Sequence, residues 1–158
     1  MAIAARWLGG GFVACPFFMP DQRVEADWPF PQRLPLGAAW SGVCTAASHD
    51  TRPTDQELKS CNLGYARSCD KLPLERTADA VRFSVGEERD GLVRIRFAFE
   101  LEYLPAGSGE LVYESASGCM RADHADACLL RMAECYVQSQ LLRRGGAGRC
   151  SQEETTVG

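Results

Sequence analysis

The sequence lacks the features that mark most nucleic-acid-binding and membrane-spanning proteins. It has only two lysines, Lys59 and Lys71, no basic run longer than Arg143 and Arg144, and a formal net charge of -4. Nucleic-acid-binding domains usually concentrate Lys and Arg on one face, so this composition argues against a nucleic-acid partner. The apolar run near the N-terminus is about eight residues long, whereas a transmembrane helix needs about 20. We therefore expect neither a nucleic-acid partner nor a membrane span.

Motifs of the common enzyme classes are also absent. The chain contains no H-E-x-x-H, no G-x-S-x-G, no phosphate-binding glycine loop and no dinucleotide fingerprint. Its two histidines are His49 and His124, so a cysteine nucleophile has few candidate bases. Ser48, His49 and Asp50 are contiguous, which is typical of a polar turn. The sequence thus offers no catalytic residue and favours a protein that is not an enzyme.

Cysteine, by contrast, is abundant. Eight cysteines in 158 residues exceed ordinary usage but stay below the roughly 8 to 10% of small disulfide scaffolds. The N-terminal residues make a poor export signal, because the short apolar run contains three glycines and Pro16 follows Cys15 directly. We therefore expect a cytoplasmic chain with reduced thiols, in which clustered cysteines bind metals or react more often than they form disulfides.

The first third of the chain is rich in proline, at positions 16, 20, 29, 31 and 35. Each proline removes a backbone donor and biases the preceding residue toward an extended conformation. The pattern predicts that residues 1–53 form an irregular segment, rich in aromatics, which covers the rest of the fold.

A helix is predicted after Pro53. Thr54 and Glu57 fit a capping box, and Leu58, Cys61 and Tyr65 follow at helical spacing. A helix that continued to Cys69 would hold Cys61 and Cys69 about 12 Å apart. Gly64 can end the helix in a left-handed conformation. The loop after Gly64 can then return Cys69 toward Cys61.

Alternating apolar residues predict strands in the middle of the chain. Residues 79–85 and 92–103 alternate, with a turn at 87–91 between them, and a third strand at 109–114 follows a turn at 105–109. Together they predict a three-stranded antiparallel meander with one apolar face.

The last regular element is a helix over residues 123–144. It is capped by Asp123, ended by Gly145 and Gly146, and marked by an apolar stripe at spacings of three or four. The stripe comprises Cys128, Leu129, Met132, Cys135, Tyr136, Ser139 and Leu142. The predicted fold class is α+β: a small antiparallel sheet of about three strands packed on two main helices. Residues 1–144 form one domain and residues 145–158 a disordered tail.

Four cysteines have simple explanations. Cys128 and Cys135 lie about 10.5 Å apart along one helix, so they cannot share a metal ion, and each suits a buried apolar position. His124 and Cys128, one turn apart, form a weaker chelating alternative. Cys119 lies in a loop, and Cys150 lies in the tail. Cys119, Cys128 or Cys135 could replace one ligand of the set described next.

The other four, Cys15, Cys44, Cys61 and Cys69, lie beside turns and aromatic residues. Converging thiolates would make a tetrahedral site for zinc or an iron–sulfur cluster such as 4Fe–4S. The spacings match no template, and no C-x2-C occurs. A Cys-Pro pair at Cys15, widely spaced ligands and an apolar shell favour the cluster. The residues expected in that shell are Phe17, Phe18, Trp28, Phe30 and Trp40.

The sequence therefore predicts a small cysteine-rich metal-binding protein with an iron–sulfur cluster. It would act in electron transfer, in redox sensing or as an accessory subunit, with a redox or complex partner protein. Three alternatives remain open: a zinc-stabilised domain, a metal-free protein–protein interaction or assembly module that docks through the N-terminal half, and an exported disulfide-bonded domain.

Overall fold

A computed structural model describes residues 13–24, 34–46, 51–63, 69–121 and 126–143. These residues form two antiparallel sheets and two helices. The prediction of a single sheet of about three strands is therefore wrong. In chain order the elements are β1 (Phe18–Arg23), β2 (Trp40–Cys44), α1 (Asp55–Leu63), β3 (Ala80–Arg89), β4 (Leu92–Leu101), β5 (Leu104–Glu114), β6 (Cys119–Met120) and α2 (Ala127–Arg143).

The smaller sheet pairs β1 with β2. It lies inside the segment that the prolines predicted to be irregular. Pro20 is part of β1, beside a bulge between Pro20 and Gln22, and a two-stranded sheet leaves each strand a free edge where a missing N–H does no harm. Gly42 faces this bend so closely that a Cβ atom there would collide with the Met19 carbonyl oxygen. Strand β1 therefore tolerates Pro20, and strand β2 requires glycine at position 42.

The larger sheet has the order β3-β4-β5-β6. The predicted alternation in its first hairpin is confirmed, because Val81, Val93 and Ile95 are buried while Arg94 and Arg96 face solvent. The predicted turn at 87–91 is shorter than expected. Strand β3 continues to Arg89, and the turn consists of the next two residues, an Asp-Gly pair with positive φ angles that suits a tight hairpin.

The second hairpin turns at Glu102 and Tyr103, so the predicted turn at 105–109 is wrong. Pro105 lies within β5, next to a bulge in that strand opposite Phe99 and Glu100, where a missing backbone donor is tolerated. Gly109 pairs with Phe97, whose Cζ would lie 2.6 Å from a Cβ atom at position 109. The glycine thus makes room for an aromatic ring on the opposite strand instead of forming a turn.

Helix α2 joins the two sheets, since it contacts β1 as well as β3, β5 and β6. Asp126 caps it, accepting a hydrogen bond from the Leu129 N–H at 3.1 Å; the predicted cap Asp123 lies outside the described residues. The Arg131 guanidinium donates to the carbonyl oxygens of Pro20 at 2.9 Å and Asp21 at 3.1 Å, which fastens the helix to β1. The stripe prediction fails at Leu142, which is half exposed.

The core lies between α2 and both sheets. Its fully buried large side chains include Phe18, Leu36, Val81, Val93, Ile95, Tyr113, Leu129, Met132 and Val137. The predicted tail at 145–158 lies outside the described residues.

Helix α1 begins with the predicted capping box. The Thr54 N–H donates to Glu57 Oε2 at 2.8 Å, and the Glu57 N–H donates to Thr54 Oγ1 at 3.3 Å. Thr54→Ala is therefore expected to lower the free energy of unfolding by about 1 kcal/mol, measured by urea denaturation. The control is Ser60→Ala, at an exposed position in the same helix, which should change it by less than about 0.5 kcal/mol. Equal effects of the two variants would contradict the capping role.

Candidate metal centre

The four predicted cysteine ligands come from four segments of the chain. Cys15 precedes β1, Cys44 ends β2, Cys61 lies in the last turn of α1, and Cys69 begins the loop that leads to β3. All four are free thiols; Cys15 and Cys44 are buried, whereas Cys61 and Cys69 are partly buried. Helix α1 ends at Leu63, as the predicted return of the chain requires. Residues 64–68, including Gly64 and Tyr65, lie outside the described residues.

A pair of hydrogen bonds joins the segments of Cys15 and Cys44. The carbonyl oxygen of Phe17 accepts from the Thr45 N–H and from the Thr45 hydroxyl, both at 2.8 Å. Phe17 lies two residues after Cys15, and Thr45 directly follows Cys44. The turn after Cys15 is thereby held against the end of β2.

Asn62 joins α1 to the start of β2. Its side-chain oxygen accepts from the Trp40 N–H at 2.8 Å, and its NH₂ group donates to the carbonyl oxygens of Trp40 and Leu58, both at 2.9 Å. The Asn62 side chain is buried, so water does not compete for these bonds. Because Asn62 follows Cys61 directly, this clamp positions Cys61 relative to the strand that ends in Cys44.

An ion pair joins the loop after Cys69 to the first turn of α1. Lys71 Nζ lies 3.1 Å from Glu57 Oε2. The backbone N–H of Thr54 and the Lys71 ammonium lower the pKa of Glu57, and the bond to Glu57 raises the pKa of Lys71. The pair is partly exposed, so its energy is small. Its geometry nevertheless places Cys69 on the side of α1 that carries Cys61.

Electrostatic effects link Cys15 and Cys61 to other cysteines of the predicted set. Burial raises the pKa of Cys15 to about 12, and repulsion from Cys61, Cys44 and Cys69 adds to this effect, while a backbone hydrogen bond from Phe17 opposes it. Burial also raises the pKa of Cys61 to about 11, with further repulsion from Cys44 and Cys69. Such effects require Cys44, Cys61 and Cys69 to lie within electrostatic range of Cys15, and Cys44 and Cys69 to lie within range of Cys61. We call Cys15, Cys44, Cys61 and Cys69 the thiol group.

The raised pKa values limit what these cysteines can do. At neutral pH Cys15 and Cys61 are protonated, and a protonated thiol is a poor nucleophile. A soft metal ion changes this, because coordination deprotonates the thiol. Within the described ranges, no three or more His, Cys, Asp or Glu side chains form a group with the geometry to hold a metal ion. Metal binding by the thiol group would therefore require its sulfur atoms to rearrange.

The remaining cysteines lie outside this group. The Cys128 thiol donates to the Pro16 carbonyl oxygen at 3.4 Å, which places it near the Cys15 turn. Cys135 is fully buried in α2, and burial raises its pKa to about 12, as the prediction of a core position expects. Cys119 is disulfide-bonded, which departs from the expectation of reduced cysteines. His124 and Cys150 lie outside the described residues.

Three of the five aromatic residues predicted for the apolar shell belong to the described part of the chain. Phe18 and Trp40 are buried, Phe17 packs against the core, and Phe18 pairs with Cys44 across the small sheet. Trp28 and Phe30 lie outside the described residues, as do Ser48, His49 and Asp50.

Sequence reasoning missed the residues that assemble the thiol group: Thr45, Asn62 and Lys71. A side-chain amide next to a cysteine in a short helix gives no periodic or motif signal. Of the three, only Lys71 is unusual in the sequence, since it is one of two lysines in the chain.

Comparison with protein-family models, with curated proteins and with solved structures finds no match for this chain. Among the described residues, no helix is long and apolar enough to cross a membrane. The functional assignment therefore depends on the thiol group and on the surface around it.

Proposed function

We propose that the chain holds an iron–sulfur cluster on Cys15, Cys44, Cys61 and Cys69. The observation that supports the proposal is that four free thiols come from four chain segments, and that, beside burial, repulsion from other cysteines of the set raises the pKa of Cys15 and Cys61. Burying four thiols together without a ligand gains little, because each is a small apolar group that fits elsewhere in the core. Four thiolates are, however, the ligand set of an iron–sulfur cluster.

Two features of the surroundings support a cluster. The backbone N–H of Phe17 bonds to the Cys15 sulfur, and hydrogen bonds to the sulfurs tune the reduction potential of a cluster. The buried rings of Phe18 and Trp40 restrict water on the side of the small sheet, which also shifts the potential. Electron transfer, redox sensing and a role as an accessory subunit are the functions such a centre serves.

The spacing of the four cysteines along the chain favours a cluster over zinc, because the larger body of a cluster lets separate chain segments approach from different sides. Four sulfurs bound to one zinc ion at 2.3 Å lie about 3.8 Å from each other. The described residues contain no group that meets the geometry of a single ion. A 4Fe–4S cluster places one cysteine on each iron, so its four sulfurs lie farther apart.

The test is the metal content of protein made and purified without oxygen. We expect iron and inorganic sulfide in equal amounts, with a broad visible absorption band. Ser replacements of Cys15, Cys44, Cys61 or Cys69 should each remove more than half of the iron. The matched control is Cys135→Ala, which removes a buried thiol outside the group and should retain it.

Other outcomes lead to different conclusions. Zinc without sulfide would establish the zinc-stabilised alternative. Protein with neither metal, or a Cys135→Ala variant that loses iron as completely as the four Ser variants, would reject the proposal.

A further inference from the structure

Three large apolar side chains are exposed near the loop that follows Cys69. Leu74 is 98% exposed, Leu104 is 68% exposed and Tyr103 is 56% exposed. Single exposed apolar residues are common on protein surfaces. These three, however, lie in two neighbouring turns: Leu74 in the loop before β3, and Tyr103 and Leu104 at the tip of the β4–β5 hairpin.

Buried Asp79 connects the two turns. The Arg76 guanidinium donates to the Pro73 carbonyl oxygen at 2.7 Å, which closes the turn around Leu74, and its Nη2 lies 3.7 Å from Asp79 Oδ2. The same Asp79 oxygen accepts the Glu102 N–H at 3.1 Å. The turn at Leu74 and the tip of the β4–β5 hairpin therefore lie side by side.

The hairpin tip is strained. Glu102 and Tyr103 have φ angles of 50° and 66°, a left-handed conformation that residues with a Cβ atom adopt at a cost. The first hairpin uses Asp90 and Gly91 in its turn, the residue types that suit it. Strain of this kind persists at sites where the surrounding structure and the function require it. Here it presents an aromatic ring to solvent.

The exposed charges beside the apolar side chains are acidic. Glu75 and Glu102 are exposed chain neighbours of Leu74 and Tyr103, and exposed Asp70 lies four residues before Leu74. The cations of this region are engaged, Arg76 with Asp79 and Lys71 with Glu57. We call the side chains Leu74, Tyr103 and Leu104, with their border Asp70, Glu75 and Glu102, the acidic-rimmed patch.

We infer that the acidic-rimmed patch is the docking surface for a basic electron-carrier protein. A partner whose lysines surround an apolar centre complements both the acidic border and the apolar middle, and electron-transfer complexes are typically small and weak. The inference rests on the proposed function. Leu74 lies five residues after Cys69, so the connecting chain spans at most about 18 Å. Leu74 of the patch therefore lies within about 18 Å of Cys69, one of the proposed cluster ligands.

The chemistry is the transfer of one electron. With cytochrome c as the carrier, a reduced cluster held by the four cysteines would supply one electron, and the ferric haem iron of cytochrome c would become ferrous. No proton moves and no covalent bond forms.

Cytochrome c, a basic haem protein, is the probe. Its binding to the full chain is measured by titration calorimetry at low ionic strength, in the ferric state and without reductant, so that no cluster is needed for the signal. Glu75→Lys is expected to weaken binding about five- to tenfold, and Leu74→Ser several-fold. The matched control is Glu87→Lys, an equal change of net charge at an exposed position on β3, expected to weaken binding less than about twofold. Added salt should weaken binding of the wild-type protein.

The failures of the two proposals are distinguishable. Wild-type protein that does not bind, or Glu87→Lys that weakens binding as strongly as Glu75→Lys, would overturn the docking surface. Patch-dependent binding by protein that contains no iron would reject the cluster and support the surface. With iron present, dithionite-reduced protein should reduce cytochrome c more slowly when Glu75 is replaced by lysine than when Glu87 is.

Discussion

Asn62→Ala is expected to lower the free energy of unfolding by about 2 to 4 kcal/mol. Asn62 satisfies both backbone groups of Trp40, accepting from the N–H at 2.8 Å and donating to the carbonyl oxygen at 2.9 Å. Both partners are buried, and each buried backbone group left without a hydrogen bond costs about 1 to 3 kcal/mol. The measurement is urea denaturation with a constant slope between variant and wild type.

The matched control is Gln138→Ala. Gln138 is a partly buried amide on α2 whose NH₂ donates to Glu134 at 3.3 Å, so its removal should cost less than about 1 kcal/mol. Because Asn62 follows Cys61, we also expect the Asn62 variant to retain less iron than wild type under conditions in which both are folded. An Asn62 variant as stable as the control would show that α1 is held to β2 in another way.

Arg76→Met is expected to lower the free energy of unfolding by about 3 kcal/mol. Asp79 is fully buried and Arg76 is 17% exposed, so removal of the guanidinium leaves a carboxylate without its cation in the interior. One carboxylate oxygen, Asp79 Oδ1, already has no hydrogen-bond partner among the described residues. The loss should therefore exceed that expected from the removal of a surface charge.

Two comparisons isolate the charge effect. Arg52→Met breaks an exposed pair with Asp21, in which the arginine side chain is 67% exposed, and should cost less than about 1 kcal/mol. Adding Asp79→Asn to Arg76→Met should restore about 1 kcal/mol or more, because the uncompensated charge disappears while the Glu102 N–H keeps an acceptor. If the second substitution destabilises the protein further, the loss in Arg76→Met reflects packing instead.

Sequence patterns predicted the central hairpin and both helices because these are local properties. Val93 and Ile95 alternate with Arg94 and Arg96, which a half-buried strand requires. The capping box at Thr54 needs only side chains three residues apart. Both features appear in the structure where the pattern placed them.

The errors occurred where proline and glycine had tertiary roles. Pro20 indicated irregular chain, yet it lies in a strand with a free edge. Gly109 indicated a turn, yet it accommodates the ring of Phe97. Glycine can form a turn, or it can make room for an aromatic ring on the neighbouring strand. The sequence alone does not distinguish these two roles.

By itself, the sequence determined the apolar faces of β3, β4 and α2, the cap of α1 and the supply of thiols, since each follows from residue types at short spacing. Only the tertiary structure decided that Cys15 and Cys44, 29 positions apart, lie in one thiol group with Cys61 and Cys69. Their convergence depends on hydrogen bonds between distant segments, such as those of Asn62 to Trp40. Such bonds form when buried backbone groups must find partners, and the identity of the partner is fixed by packing rather than by sequence separation.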